Sequence, residues 1–127
     1  VNQKKEDEVV SEQIEKLRIK CYSQNQQVYT LSGGNQQKVV MAKWLLPECE
    51  VLIFDEPTRG IDVGARSEIY ELMIDYVNRG GAIIIVSSDT QELLAVSDRI
   101  IVMGQGKMTG SFRREEATED KIVRAMF

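Results

Sequence analysis

Hydrophobic residues recur along the chain at two spacings, which predict an alternation of helices and strands. Helical spacing, as in Val10, Ile14 and Leu17, predicts an amphipathic helix. On this basis we predict helices over residues 6–20, 34–46, 61–79, 91–96 and 118–126. The second of these is expected to stop at Pro47, and the third, which a turn precedes, at the Gly80–Gly81 pair.

Three apolar-rich segments predict strands, and the first two, which are continuously apolar, are predicted to be buried. They cover residues 51–54, 82–86 and 99–103, and a turn at residues 104–107 leads from the last of them into a hairpin strand over 108–112. Such strands alternating with helices predict a parallel α/β sheet. In these sheets the chemistry lies beyond the carboxyl ends of the strands.

The composition excludes several classes of protein. The 127 residues carry a net charge of −4 and a pI near 4.9, so a nucleic-acid partner is not expected. Cys21 and Cys49 are far apart and no histidine is present, which argues against zinc and predicts free thiols. No apolar run approaches the ~20 residues of a membrane span, so we expect a cytoplasmic protein. The first residue is Val1 rather than Met, which suggests a piece of a longer protein.

Two adjacent carboxylates, Asp55 and Glu56, follow directly on the first predicted strand. They are costly at such a place unless they meet a cation or a polarised water. An Asp that holds Mg²⁺ beside a Glu that orients a water forms one half of a nucleotide-hydrolysis site. The alternative is that both residues only cap the following turn, aided by Pro57.

A second candidate site is the segment LSGG, residues 31–34, which precedes a predicted helix. Gly33 and Gly34 allow the backbone to approach a ligand, and Ser32 offers a hydroxyl. The helix directs the positive end of its dipole at a bound anion, so a phosphate site is plausible. The alternative is an ordinary helix N-cap with a flexible loop.

Taken in order, these motifs resemble those of a known family. The strings LSGGNQQK and VLIFDEPTRGIDVGA resemble the signature motif, Walker B strand and D-loop of the ATP-binding-cassette (ABC) ATPases. The fuller match, with TRGIDVGAR, VSSD and SDRIIVMGQGKMTGSF, is most similar to the second nucleotide-binding domain of ribose, galactose and xylose importers. The resemblance implies a P-loop NTPase (RecA-like) parallel sheet. Residues 1–47 would be part of the helical subdomain, and residues 48–127 the carboxyl-terminal part of the ATPase core.

The resemblance gives the residues of the signature a role in binding ATP. Ser32, Gly33 and Gly34 would contact the γ-phosphate of an ATP that the opposite cassette binds in a head-to-tail dimer. Asn35 and Gln37 would complete this part of the ATP site. The family usually has Gln where Asn35 stands, which is a mild departure.

The resemblance also assigns the remaining site residues. Asp55 would hold Mg²⁺, usually through water, and Glu56 would be the general base for the attacking water. Asp62 would sit in the D-loop and couple the two ATP sites. Ser88 occupies the position of the switch histidine. Because serine lacks the charge and reach of an imidazole, this site is expected to hydrolyse ATP poorly or by another arrangement.

The string Gly-x-x-x-x-Gly-Lys-Ser/Thr of the Walker A loop does not occur in the chain. The chain therefore resembles the carboxyl-terminal half of one cassette, and alone we expect it to be inactive. The missing Walker A strand would leave a gap between the strands at 82–86 and 99–103. The unpaired apolar edges at this gap would be covered either by direct pairing of the two strands or by a second copy of the chain. Exposed apolar area on the sheet favours self-association.

The function implied by the resemblance is that of the ATPase subunit of a carbohydrate importer, at the inner face of the membrane. Its partners would be a second cassette, transmembrane permease subunits and, indirectly, a periplasmic sugar-binding protein. One alternative is a cassette ATPase of DNA repair or translation control, and another is a binding module without turnover. The acidic balance and the string TRGIDVGA favour the importer.

Overall fold

The computed structural model describes residues 2–45 and 49–127 and contains the predicted elements with shifted bounds. The helices are α1 (Gln3–Lys16), α2 (Gly33–Leu45), α3 (Val63–Asn78), α4 (Thr90–Val96) and α5 (Glu119–Met126), and a 3₁₀ turn covers Val28–Thr30. The strands are β1 (Val51–Asp55), β2 (Ala82–Val86), β3 (Arg99–Gly104) and β4 (Lys107–Arg113). Leu46 and Pro47, where the sequence predicts the end of α2, lie outside the described residues.

Residue contacts divide the chain into two compact units. Unit 1 runs to residue 53 and resumes over residues 57–84, and unit 2 comprises residues 54–56 and 85–127. The division crosses β1 and β2, so each unit holds one end of both strands. The subdomain boundary expected between residues 47 and 48 stays a prediction. Within the described residues, no helix has the length and apolar character needed to cross a membrane.

The first helix ends earlier than its apolar spacing predicts. Arg18 adopts a left-handed conformation (φ 51°), and its N–H donates to Glu15 O at 3.1 Å. The N–H of Ile19 donates to Ile14 O at 2.9 Å, so the two bonds form a Schellman motif that closes α1. Residues beyond Lys16 therefore leave the helix, and the predicted extension to residue 20 is wrong.

The end of α1 belongs to the core of unit 1. Leu17 and Ile19 are buried with Ala42 of α2. The partly buried apolar side chains packed against them come from α1, α2, α3 and the segment before α2: Ile14, Leu31, Val39, Leu45 and Leu72. The core thus fixes α2 between the chain that follows α1 and the helix α3.

β1 and β2 are hydrogen-bonded neighbours in a two-stranded sheet. At their starts the N–H of Ala82 donates to Glu50 O (2.8 Å), and at their ends the N–H of Glu56 donates to Val86 O (2.8 Å). The two strands therefore run in the same direction, and α3 provides the crossover that a parallel pair requires. The predicted parallel arrangement is confirmed for this pair.

The prediction that β1 and β2 are buried on both faces is wrong. Leu52 and Phe54 are buried, but Val51 and Ile53 are 52% and 69% exposed. The same alternation occurs in β2, where Ile84 is 52% exposed. Successive side chains of a strand point to opposite faces, and the described chain covers only one face of this sheet.

In unit 2, β3 and β4 form an antiparallel hairpin. Gln105 and Gly106 make its turn, both with positive φ (48° and 76°), which is the geometry of a type I′ turn. Ile122 of α5 packs fully buried on Ile100 and Val102 of β3. In the part of the chain that the structure describes, β3 and β2 belong to different sheets, so the two strands do not pair directly.

The exposed apolar residues of the β1–β2 sheet lead to a prediction about association. At micromolar concentration we expect the isolated chain to self-associate, because burial of Ile53 and Ile84 against a second copy gains about 25 cal/mol per Å² of apolar surface. Replacing both with threonine preserves strand propensity but removes apolar area. Sedimentation velocity should then show a larger monomer fraction.

The control for this experiment is Val63→Thr, because Val63 is 81% exposed and lies outside the strands. A wild-type chain that sediments only as a monomer contradicts the prediction. So does a control variant that shifts the monomer fraction as much as the strand variants do.

Candidate functional site

The signature segment lies at the start of α2, in unit 1. Ser32 is exposed, and its carbonyl accepts a hydrogen bond from the N–H of Gln36 (2.9 Å), so the helix begins directly after it. Gly33 is exposed, whereas Gly34 is buried. A Cβ at position 34 would lie 2.6 Å from the Cβ of Ala65 in α3. Glycine at this position therefore permits the close approach of α2 and α3.

Asn35 connects the signature serine to the chain that follows α1. Its Oδ1 accepts a hydrogen bond from the N–H of Lys20 (2.9 Å), and its Nδ2 donates to Ser32 Oγ (2.9 Å). The amide thus lies between a backbone donor and the signature hydroxyl. Gln37, on the next turn of α2, is half-buried.

Lys38 is a residue of this region that the sequence reasoning missed. Its side chain is 2% exposed, and its Nζ donates to Arg18 O (3.1 Å) and to the carboxylate of Glu68. A buried ammonium needs such partners because removing a charge from water is costly. The hydrogen bond and the charge of Lys38 lower the pKa of Glu68. The sequence carries a signal for this pair, since Lys38 shares a face of α2 with the buried Gly34 and Met41.

These residues border one open pocket of about 310 Å³ in unit 1. Its lining consists of Lys20, Ser32, Gly34, Asn35, Lys38, Asp62, Gly64, Ala65 and Glu68. Asp62 reaches it as the N-cap of α3, where its Oδ1 accepts a hydrogen bond from the N–H of Ala65 (3.0 Å). Signature residues and the D-loop aspartate therefore share a pocket, whereas Gly33 and Gln37 do not line it.

The paired carboxylates form the other predicted motif. They lie at the carboxyl end of β1, in unit 2. Asp55 is exposed, and Glu56 has a left-handed backbone (φ 47°) that costs a residue with a Cβ about 1–2 kcal/mol. The backbone N–H of Glu56 donates to Val86 O, and its Oε1 accepts a hydrogen bond from the N–H of Ser88 (2.8 Å). Two bonds to the chain at the end of β2 therefore hold Glu56 in place.

Ser88, at the predicted switch position, contacts Glu56 through its backbone. Its side chain is exposed, and within the described residues its hydroxyl makes no hydrogen bond. The following residue, Asp89, caps α4: its Oδ1 accepts from the N–H groups of Gln91 (3.0 Å) and Glu92 (3.2 Å). The start of α4 thereby fixes the segment that presents the Ser88 N–H.

Among the described residues, no group of three or more His, Cys, Asp or Glu side chains could hold a metal ion. Asp55 and Glu56 supply carboxylate oxygens, which suit Mg²⁺. This ion is commonly held by one or two carboxylates, with waters and substrate phosphates as its other ligands. The donor set therefore fits a Mg²⁺ that is shared with a nucleotide.

A larger pocket, of about 500 Å³, lies elsewhere in unit 2 and contains none of the predicted site residues. Its lining carries both charge signs, from Asp98, Arg99, Ser111, Arg113, Glu115 and Glu116. Its size alone gives no reason to prefer it over the pocket at the signature, where backbone, hydroxyl and amide groups converge.

Comparison with known proteins shows which family the chain resembles. A sequence model of the ABC transporter family matches residues 1–59. A ribose import ATP-binding protein of Caldanaerobacter subterraneus is 55% identical over 97% of this chain, and one of Clostridium tetani is 50% identical over 98%. The chain is similar to the ABC transporter family. It spans 25% of the length of each of these two relatives.

Solved ABC transporter cassettes share the fold. The cassette MJ1267 superposes with a TM-score of 0.81 at 22% identity, over 94% of this chain and 49% of its own. CbiO1 of Clostridium perfringens, part of the complex cbiONQ, gives a TM-score of 0.77 at 27% identity, over 97% and 49%. The predicted ABC family and the predicted α/β cassette fold are thereby confirmed, and the chain spans about half of each of these solved ABC chains.

The contact between Gly34 and Ala65 leads to a prediction about stability. We expect Gly34→Ala to lower the free energy of unfolding by about 1–3 kcal/mol, because the new Cβ overlaps that of Ala65. Ala65→Gly removes the opposing methyl group, so the double variant should lose less stability than the sum of the two single variants. Urea unfolding followed by circular dichroism measures all four proteins.

Gly33→Ala is the matched control for this prediction, because the nearest atom to its Cβ would be Ile61 Cδ1 at 3.7 Å, an ordinary contact. Equal losses for the two glycine variants, or strict additivity in the double variant, contradict the overlap argument.

Proposed function

We propose that the protein to which this chain belongs hydrolyses ATP to drive the import of a carbohydrate. The observation that carries the proposal is the carboxylate of Glu56, held at the carboxyl end of β1 directly after Asp55. A carboxylate in this position suits a base for nucleotide hydrolysis. Support comes from the 55% identity to a ribose import ATP-binding protein.

Glu56 acts as the general base. The N–H of Ser88 occupies Oε1, whereas Oε2 accepts no hydrogen bond from the described residues. Oε2 takes a proton from the attacking water, whose oxygen bonds to the γ-phosphorus as the bond from that phosphorus to ADP breaks. Asp55 would hold Mg²⁺, usually through water. When bound, this ion neutralises charge that develops on the phosphate oxygens.

The signature acts on the ATP of a second cassette. Ser32 offers its hydroxyl, Gly33 and Gly34 offer backbone N–H groups, and the positive end of the α2 dipole favours a phosphate there. Asn35 and Gln37 belong to the same ATP site.

Asp62 couples the two ATP sites. Its position as the N-cap of α3, in the pocket that the signature residues line, supports this role. A change at one ATP site would then reach the other through the start of α3.

The partners follow from the same proposal. The protein works at the cytoplasmic face of the membrane with permease subunits, which carry the sugar. A periplasmic sugar-binding protein is an indirect partner. The names of the relatives, which are import ATP-binding proteins, support these partners. The net charge of −4 gives no footprint for nucleic acid.

The role of Glu56 is tested in the full-length protein. Glu56→Gln should lower the rate of ATP hydrolysis by about 100-fold or more, because an amide cannot take a proton from the water. Binding of ATP should be retained, since the substitution changes a proton acceptor and not the phosphate contacts. Glu50→Gln, which alters an exposed carboxylate just before β1, is the control. Hydrolysis by Glu56→Gln at the rate of this control contradicts the proposal.

The role of Ser88 is tested by a pair of substitutions that separate side chain from backbone. Ser88→Ala keeps the N–H that bonds Glu56, whereas Ser88→Pro removes it. We expect the proline variant to lose about tenfold more hydrolysis than the alanine variant, since a hydrogen bond to a charged group contributes about 1.5–3 kcal/mol. Thermal unfolding and ATP binding, measured in parallel, show whether each variant is folded. Equal losses in two folded variants contradict a role of the backbone.

A further inference from the structure

We propose that Asn35 is a positioning residue that directs the hydroxyl proton of Ser32 away from the protein and towards the phosphate. The inference rests on the proposed function, in which Ser32 serves an ATP phosphate. It assigns to Asn35 an action through Ser32 and not a contact with the nucleotide. Both residues, and every group that orients them, lie within unit 1.

The backbone determines which way the Asn35 amide faces. The N–H of Lys20 lies 2.9 Å from one end of this amide, and a backbone N–H can only donate. The amide atom that faces Lys20 must therefore be the oxygen, which places the nitrogen Nδ2 at the other end. The orientation of an asparagine side chain is set by its partners, and here the partner leaves one choice.

The amide in turn determines how the Ser32 hydroxyl is used. Nδ2 donates to Ser32 Oγ at 2.9 Å, so the oxygen of the hydroxyl acts as the acceptor in this bond. A hydroxyl has one proton and two lone pairs, and the lone pair that faces Asn35 is occupied. The proton of Ser32 then points in another direction, and the exposed side of Ser32 is the open pocket.

An ATP phosphate needs a hydroxyl that donates its proton. Its oxygens are acceptors, so a hydroxyl can bind them only by donating its proton. A hydroxyl that is free to rotate must be ordered when the phosphate arrives, whereas the Ser32 hydroxyl is ordered beforehand by Asn35. Asp at position 35 would reverse the polarity, because a carboxylate accepts from both Lys20 and Ser32 and would turn the proton inward.

The Lys20 donor is itself held in place. Two residues earlier, the carbonyl of Arg18 accepts a hydrogen bond from the buried Lys38, and the N–H of Ile19 closes the end of α1. The segment that carries the Lys20 N–H is therefore tied to α1 and α2 at once. The direction of the Ser32 proton thus depends on a backbone that the core of unit 1 fixes.

A double-mutant cycle in the full-length protein tests the inference. We expect Asn35→Ala to lower the rate of ATP hydrolysis about threefold to tenfold, the effect of one hydrogen bond. In the Ser32→Ala background, the same substitution should change the rate less than about twofold, because its target is absent. Asn35→Asp should be slower than Asn35→Ala, since it reverses the hydroxyl as well as removing the donor.

Hydrogen exchange of the Lys20 amide gives a readout that does not depend on activity. Exchange should be faster in Asn35→Ala, which removes the acceptor, and should stay slow in Asn35→Asp and Ser32→Ala, which retain it. Unchanged exchange in Asn35→Ala would mean that the bond from Lys20 does not form in solution, and this would overturn the inference.

The cycle separates failure of this inference from failure of the proposed function. If Ser32→Ala has no effect on hydrolysis, Ser32 does not serve the phosphate, and both proposals about the signature are overturned. If Ser32→Ala slows hydrolysis but Asn35→Ala slows it equally in both backgrounds, only the action through Ser32 is overturned.

Discussion

The signature region of unit 1 depends on one buried ammonium group. Lys38 is almost fully removed from water, so its charge must be satisfied by protein groups. One partner is the carbonyl of Arg18, which lies past the left-handed end of α1 and so accepts no hydrogen bond within that helix. The other partner is the Glu68 carboxylate on α3. Three segments that are distant in the sequence are therefore joined at one atom. The contacts of Lys38 therefore help to fix the open pocket of the signature region. They also help to fix the segment whose N–H bonds Asn35.

At Glu56 the neighbouring strand holds the backbone in an unfavourable conformation. A left-handed residue that carries a long side chain is unfavourable, and such strain persists only where surrounding structure enforces it. Here the enforcing groups are the carbonyl of Val86 and the N–H of Ser88, both at the end of the neighbouring strand. Asparagine or glycine would suit this backbone better but would provide no carboxylate. A carboxylate stands at a position where backbone stability favours another residue, and local conflicts of this kind are common at functional sites.

Much of the fold follows from sequence pattern, and the misses have physical causes. Every predicted helix and strand is present, because apolar period and turn residues act locally. The end of α1 was missed because Arg18 takes a left-handed conformation that glycine would have signalled. Strand burial was mispredicted because an apolar run shows only that both faces of a strand can be covered. Whether both faces are covered depends on which other chain segments pack against them.

The sequence singles out candidate site residues but does not show their geometry. Motifs name Ser32, Glu56 and Asp62, since spacing along the chain is enough to recognise them. They do not show that the Ser88 backbone meets Glu56 or that Asn35 bridges to Lys20, because these bonds join residues far apart in sequence. Lys38 was overlooked for the same reason: a lysine reads as a surface residue until its burial and its partners are known.

The β3–β4 hairpin has a consequence for how the chain folds. Its pairs range from Gly104 with Lys107 to Arg99 with Arg113, and α5, which covers it, follows directly. The strand pairs of the hairpin join residues that are close in the sequence, so their formation loses little loop-closure entropy, and β-hairpins form in about 1–10 μs. Pairing of β1 with β2 must first close a loop that contains all of α3. The hairpin is therefore expected to form before the strand that carries the proposed catalytic base finds its neighbour.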